Sequence, residues 1–122
     1  VAALTVCNYG DVPVRTSPGF HPYFPAVGTQ FDFNGAPYDA DYIAHTEFVA
    51  SPSDTHVAFD GMKLDIRTQN LPVYALWSDR NGQYTCAEPT AEGNAFLSPA
   101  RGGQFVSGHG KKHYGMKIRL IA

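Results

Sequence analysis

One histidine and one glutamate stand in settings that could hold them as the acid and base of a proton transfer. His21 lies in the segment Gly-Phe-His-Pro-Tyr-Phe at residues 19–24, and Glu88 lies in Cys-Ala-Glu-Pro-Thr at residues 86–90. A histidine titrates near neutrality, and burial can tune a glutamate toward the same range. Such a pair can move protons in both directions on a small polar substrate.

Three prolines restrict the backbone around His21. Pro22 biases His21 toward extended backbone, and Pro18 and Pro25 further reduce the freedom of the loop. The imidazole is therefore expected to be held in position, as a proton donor requires. The spacing alone fits an alternative equally well, in which His21 stacks on the neighbouring aromatic rings and packs one edge of a sheet.

Glu88 occupies an unusual position at the end of an apolar strand. It falls in register with Tyr84 and Cys86, on the face expected to be apolar, and Pro89 ends the strand. Because an unpaired buried charge is costly, the carboxylate is expected at the rim of a pocket or beside a cation. Desolvation would raise its pKa toward that of a useful base. The alternative is a strand-end glutamate that reaches solvent.

The apolar residues recur with a period of two, which is typical of β-strands. Residues 62–67 alternate as a half-buried antiparallel strand should, whereas residues 73–77 are apolar on both faces and predict a central strand. Further alternating runs cover residues 4–8, 30–34, 84–88 and 116–121. Residues 41–49 could form at most a turn or two of helix.

Turn signals separate these runs. Asn-Gly or Asp-Gly pairs, which favour hairpins, occur at 34–35, 60–61 and 81–82, with further turns predicted at 8–11 and 101–103. No repeat or linker interrupts the pattern. The sequence therefore predicts an all-β fold, a sandwich of antiparallel strands in a single domain over residues 1–122.

Composition excludes several classes of function. The chain has 122 residues, 43% of them hydrophobic, which indicates a packed globule. With 9 basic residues, 11 acidic residues and a net charge of −2, it lacks the basic surface of a nucleic-acid-binding protein. The basic residues near the end are expected on a solvated strand face; they are Lys111, Lys112, Lys117 and Arg119.

No apolar run is long enough to span a bilayer, so no membrane partner is expected. Residues 1–6 are too short for the apolar core of a signal peptide. Cys7 and Cys86 lie far apart, without zinc-binding spacing, and are predicted to be buried free thiols, although a disulfide between them stays open. Free thiols suit the cytoplasm.

Cofactor and metal signals are weak. His109 and His113 have i, i+4 spacing, but the surrounding glycines make a helix unlikely, so we expect no metal site. Neither a GxGxxG motif nor a P-loop occurs, and no cofactor is predicted. Trp77, together with Tyr74 and Tyr84, could offer a flat apolar surface to a sugar ring, or could belong to the core.

Three segments together resemble the C-terminal half of the aldose 1-epimerase (galactose mutarotase-like) family. They are residues 8–13, 19–24 and 84–90, and the similarity is strongest to the hexose-6-phosphate and aldose-epimerase-like branch. In that family a His-Pro-Tyr-Phe loop carries the catalytic acid, and a later strand delivers the base in a Cys-x-Glu-Pro setting. The resemblance implies part of the family's β-supersandwich, with His21 as general acid and Glu88 as general base.

The implied reaction interconverts the α and β anomers of a hexose or hexose phosphate by ring opening, without a cofactor or metal. Tyr23, Phe24, Trp77 and Asp79 are the expected substrate-binding residues. The alternative is a non-catalytic carbohydrate-binding or structural remnant of the fold, and enzymatic activity of this chain alone stays open.

Family members are more than twice as long as this chain, and their N-terminal half supplies further sugar-binding residues. A half sandwich would expose sheet edges and apolar surface. We therefore expect a homo-oligomer, or pairing with a missing N-terminal half, in addition to a small-molecule sugar as ligand.

Overall fold

The computed structural model describes residues 1–25, 30–39, 42–59, 61–79, 84–94 and 104–121. In these residues the strands are β1 (Ala2–Cys7), β2 (Val14–Thr16), β3 (Tyr23–Pro25), β4 (Gln30–Phe33), β5 (Ala36–Asp39), β6 (Glu47–Ala50), β7 (Asp54–Phe59), β8 (Met62–Gln69), β9 (Val73–Ser78), β10 (Tyr84–Thr90), β11 (Gln104–Val106) and β12 (Lys111–Leu120). A short 3-10 helix, Tyr42–His45, precedes β6.

The described strands form two main sheets and a small ribbon. The larger sheet has the order β1-β12-β8-β7-β4-β5, and the smaller has the order β3-β10-β9-β6. β2 and β11 form the two-stranded ribbon. Neighbouring strands in all three are antiparallel, as the sequence predicts.

The core lies between the two main sheets. Phe33, Val57 and Ile66 are buried on the inner face of the larger sheet, and Tyr74 and Leu76 of β9 are buried opposite them. The rings of Phe33 and Tyr74 meet edge to face, with centroids 5.0 Å apart. The predicted β-sandwich is therefore confirmed, with one face of each main sheet buried in the core.

The period of two located the strands correctly. β9 pairs with β10 on one side and β6 on the other, which confirms its predicted central position. The predicted helical turn is the 3-10 helix Tyr42–His45. The turn at Asn34 and Gly35 joins β4 to β5, with positive φ at both residues. Asp60 and the turns predicted at 81–82 and 101–103 lie outside the described residues.

Two loops lock the ribbon against the larger sheet. The Asn8 side chain donates to the carbonyls of Val12 at 2.7 Å and Val106 at 3.1 Å, and accepts from the Gly10 amide at 2.9 Å. The His109 amide in turn donates to the carbonyl of Gly10 at 3.0 Å. The predicted turn at 8–11 is thus held against residues 107–110.

The surface agrees with most of the predicted charge pattern but differs at one lysine and one cysteine. Lys111, Lys117 and Arg119 are exposed on β12, as a solvated strand face predicts. Lys112 is only partly exposed, because it lies on the opposite face and donates to Gln104 Oε1 at 3.0 Å. Both cysteines are free, but Cys7 is exposed rather than buried, because β1 lies at a sheet edge. Among the described helices, none has the length and apolarity needed to cross a membrane.

Gly108 packs too closely against the first loop to accept a side chain. A Cβ atom at this position would overlap the carbonyl oxygen of Asp11 and lie 2.6 Å from its carbonyl carbon. We expect Gly108→Ala to lower the free energy of unfolding by about 1–3 kcal/mol, since two backbone segments must separate. Chemical denaturation would measure the change.

Gly10→Ala is the matched control in the facing loop, because its Cβ atom would meet only the Asn8 Oδ1 atom at 3.4 Å. It should change stability by less than about 0.5 kcal/mol. Equal effects of the two substitutions would contradict the close packing of these loops.

Candidate active site

An open cleft with a volume of about 430 Å³ lies on the outer face of the smaller sheet. It is lined by His21, Tyr23, Thr46, Phe48, Ala75, Trp77, Glu88, Thr90 and Gly93. These side chains point away from the core, because the alternate residues of the same strands, such as Leu76 and Ala87, are buried between the sheets. The sequence analysis expected Glu88 on the apolar, core-facing side of β10. The structure instead places it on the outer side.

The position of His21 follows from the register of its segment along β10. Tyr23 of β3 pairs with Cys86 of β10, and Gly19 forms an isolated bridge with Thr90. His21 lies midway between Gly19 and Tyr23, and Glu88 lies midway between Thr90 and Cys86. The two residues therefore face each other across adjacent segments, where side chains on one face are direct neighbours.

Backbone hydrogen bonds hold this register beside the cleft. The Phe20 amide donates to the carbonyl of Pro89 at 3.0 Å, and the Ala91 amide donates to the carbonyl of Pro18 at 2.9 Å. Gly19 allows the close approach, since a Cβ atom there would lie 3.0 Å from the Pro89 carbonyl oxygen. The predicted restraint of the loop thus comes from this pairing as well as from its prolines.

The two candidate proton-transfer groups meet at the floor of the cleft. The His21 Nε2 atom lies 3.2 Å from Glu88 Oε1. The His21 side chain is 48% exposed, whereas the Glu88 side chain is only 17% exposed. Glu88 is thus a largely buried carboxylate beside an imidazole in the cleft, and not a strand-end glutamate that simply reaches solvent.

Burial raises the pKa of the Glu88 carboxyl above its ordinary value of 4.5, and the neighbouring His21 offsets part of the rise. Desolvation penalises the carboxylate, and a protonated imidazole beside it favours the carboxylate. Glu88 is therefore a stronger base than an exposed glutamate.

Cys86 lies next to Glu88 on the same face of β10 but is fully buried. Burial raises the pKa of its thiol to about 12, with a further contribution from the negative charges of Glu88 and Asp79. The thiol therefore stays protonated near neutral pH, so Cys86 is not a nucleophile in the free protein.

Aromatic rings form the wall of the cleft beside His21. Tyr23 stacks on the imidazole with centroids 4.6 Å apart, and its edge meets Tyr84 at 5.1 Å. Tyr84 also contacts Trp77, at 5.6 Å between centroids. His21 therefore stacks on an aromatic ring, as one sequence-based interpretation expected, and it also faces Glu88, while its role as a proton donor stays a prediction.

Of the four predicted substrate-binding residues, two line the cleft and two do not. Tyr23 and Trp77 line the cleft. Phe24 does not, because it points to the opposite face of β3, is buried in the core and packs on Phe59. Its predicted role as a sugar contact is therefore wrong. Asp79 follows the end of β9 and is not among the lining side chains, although its charge raises the pKa of Tyr84 in addition to desolvation.

The sequence analysis did not identify five cleft residues: Thr46, Phe48, Ala75, Thr90 and Gly93. Ala75 and Phe48 continue the row of His21 and Glu88 across β9 and β6, since Glu88 pairs with Ala75 and Ala75 with Phe48. The small side chain of Ala75 leaves space beside the carboxylate. The alternation of residues along β9 could have placed Ala75 on the same face as Trp77. The pairing of β9 with β6, which brings Phe48 beside Ala75, could not be read from the sequence.

Other surface depressions lack this combination of groups. A larger one, of about 600 Å³, crosses β1, β8 and β12 and includes His113 without a carboxylate among its lining residues. Another, of about 320 Å³, includes Asp32 and Lys63 but no histidine among its lining residues. The cleft at His21 and Glu88 is therefore the candidate active site.

Two crystal structures share this fold. One is a "putative aldose 1-epimerase" from Escherichia coli K12, with a TM-score of 0.72, 16% identity, and coverage of 98% of this chain and 55% of that chain. The other is the Slr1438 protein from Synechocystis sp. PCC 6803, with a TM-score of 0.69, 17% identity, and coverage of 97% and 49% respectively.

No protein-family model matches the sequence, and no curated protein matches it. The chain spans about half the length of the two structures that it resembles. The similarity extends over nearly all of this chain, and it establishes that the chain shares the β-sandwich fold of about half of each of these two structures.

Proposed function

We propose that this chain is an aldose 1-epimerase-like protein that interconverts the α and β anomers of a hexose or hexose phosphate. The observation that carries the proposal is the 3.2 Å separation between His21 Nε2 and Glu88 Oε1 at the floor of an open cleft. The fold shared with the Escherichia coli protein supports it.

The chemistry requires an acid and a base close together. In a pyranose the anomeric hydroxyl and the ring oxygen are bonded to the same carbon, so both can be reached only by neighbouring groups. Glu88 takes the proton from the anomeric hydroxyl while protonated His21 gives a proton to the ring oxygen, and the C1–O5 bond breaks. Rotation about C1–C2 and reclosure with the roles reversed yield the other anomer.

The walls of the cleft suit a sugar ring. Tyr23 is exposed and Trp77 is half-buried, so both can present flat apolar faces to the C–H groups of the sugar. Thr46 adds a hydroxyl group that can bond sugar hydroxyls, whereas the Thr90 hydroxyl donates to the Val73 carbonyl at 2.8 Å and accepts from the Gly93 amide at 2.8 Å. We propose Tyr23 and Trp77 as the substrate-binding residues beside the proton pair.

A non-catalytic carbohydrate-binding role is the second candidate, because the chain spans only about half of the structures that share its fold. Trp77 is the single tryptophan in the chain and lies in the cleft, so its fluorescence reports sugar binding directly. A fluorescence change without accelerated mutarotation would favour this second function.

The proton pair makes a direct prediction for catalysis. His21→Ala and Glu88→Gln should each reduce the acceleration of mutarotation by about 10²–10⁴-fold, since each removes one proton-transfer group. Polarimetry or NMR of freshly dissolved α-glucose, α-galactose and hexose 6-phosphate would measure the rates.

The matched control is His56→Ala, since His56 is an exposed histidine that pairs with Asp65 at 2.7 Å on β8 of the larger sheet, away from the cleft. It should retain the full rate. Absence of acceleration by the intact chain, or an equal loss in the control, would overturn the assignment.

The raised pKa of Glu88 predicts the pH dependence of catalysis. The base must be unprotonated, so activity should be lost as pH falls through a value above 4.5, the ordinary value for a glutamate. The profile of kcat/KM against pH measures this limb. A limb at or below pH 4.5 would show that Glu88 is not the base.

We also propose that the chain self-associates through the β1 edge. Within the described strands, β1 pairs only with β12 and leaves its other edge unpaired. Leu4 lies on the same face as Ala2, which is partly buried against the core, yet Leu4 is 38% exposed. Unpaired edges with apolar side chains are typical sites of association.

Sedimentation velocity tests this association. The intact chain should sediment as an oligomer, and Leu4→Glu should shift it toward monomer because it places a charge at the edge. Val14→Glu is the control, since Val14 is 47% exposed but lies in the ribbon with β11. A monodisperse monomer, or an equal effect of both substitutions, would contradict the β1 interface.

The state of the cysteines supports a reducing compartment. Exposed Cys7 and buried Cys86 are both free thiols, and free thiols are typical of cytoplasmic proteins. We therefore propose a cytoplasmic location.

A further inference from the structure

Three potential metal ligands converge beneath the cleft. The ligand atoms of His21, Cys86 and Glu88 all lie within 4.8 Å of one another. Cys86 and Glu88 are two residues apart on one face of β10, and His21 faces Glu88 from the adjacent segment. We propose that these three side chains form a binding site for a thiophilic divalent cation of the zinc class.

The ligand chemistry favours zinc over harder cations. A nitrogen, a sulfur and a carboxylate oxygen are the donor types that Zn²⁺ takes in proteins, and sites with three protein ligands leave a fourth position open. Mg²⁺ and Ca²⁺ prefer oxygen donors throughout. The open cleft above His21 and Glu88 would supply water or another small ligand at the fourth position.

The geometry requires only a small adjustment. Zinc bonds of about 2.0–2.3 Å place tetrahedral ligand atoms roughly 3.5 Å apart. The His21 and Glu88 atoms already lie 3.2 Å apart. Cys86 lies within 4.8 Å of both, so rotation of the Glu88 carboxylate together with a shift of the half-exposed imidazole would complete the set.

Charge balance also supports a dication. On binding, the Cys86 thiol loses its proton to solvent as the metal–sulfur bond forms, while His21 binds as neutral imidazole. The thiolate and the Glu88 carboxylate together neutralise a divalent ion. The result is an uncharged complex, which the low exposure of Cys86 and Glu88 favours. The cost is removal of a proton from a thiol whose pKa burial raises to about 12.

Binding of a cation would compete with the proposed catalysis, since both use His21 and Glu88. This consequence rests on the proposed function, whereas the metal site itself rests only on the three ligands. Binding without mutarotase activity would leave the metal site standing, and mutarotase activity without binding would leave the proposed function standing.

Cobalt spectroscopy tests the site without any activity measurement. Titration of the reduced protein with Co²⁺ should produce a sulfur-to-cobalt charge-transfer band with saturation at one ion per chain, and Zn²⁺ should displace the cobalt. Cys86→Ser should abolish the band. Cys7→Ser is the matched control and should leave it intact, because Cys7 lies on β1, outside the cluster.

Because Cys86 is buried, the Cys86→Ser variant could lose the band by failing to fold. His21→Gln is therefore a second test of the site, since His21 is exposed and circular dichroism can verify that this variant folds. It should weaken Co²⁺ binding at least about tenfold. Absence of the band in the intact protein, its loss in Cys7→Ser, or unchanged affinity in a folded His21→Gln variant would overturn the proposal.

Discussion

The register between the segment leading into β3 and the strand β10 is the constraint on which the site depends. The bridge between Gly19 and Thr90 and the pairing of Tyr23 with Cys86 leave a single arrangement for the residues between them. His21 must then face Glu88 on the outer side of the sheet. A shift of one residue would turn either side chain to the opposite face.

The same arrangement determines the chemistry of the groups. β10 lies between β3 and β9, so its outward side chains are partly covered by neighbours even though they are not in the core. This coverage raises the pKa of the Glu88 carboxyl and keeps the Cys86 thiol protonated. The half-exposed His21 places its Nε2 atom 3.2 Å from this largely buried carboxylate and so gives it a polar partner.

The cleft lies open on the outer face of the smaller sheet. The floor is built from one row of residues across four strand positions, His21, Glu88, Ala75 and Phe48. Every strand of the smaller sheet contributes to this floor directly or through the segment leading into β3. The contact between His21 and Glu88 therefore joins two segments of this chain.

The sequence by itself determined the strands, because burial of one sheet face imposes a period of two on apolar residues. It also singled out His21 and Glu88 as candidate proton-transfer groups, since few titratable side chains stand in restrained settings. Only the tertiary structure decided which face of each strand meets the core. Phe24 is therefore buried, while Tyr23 lines the cleft. Cross-strand register also joins residues far apart in the chain, so the placement of His21 and Ala75 beside Glu88 could not be read from local spacing.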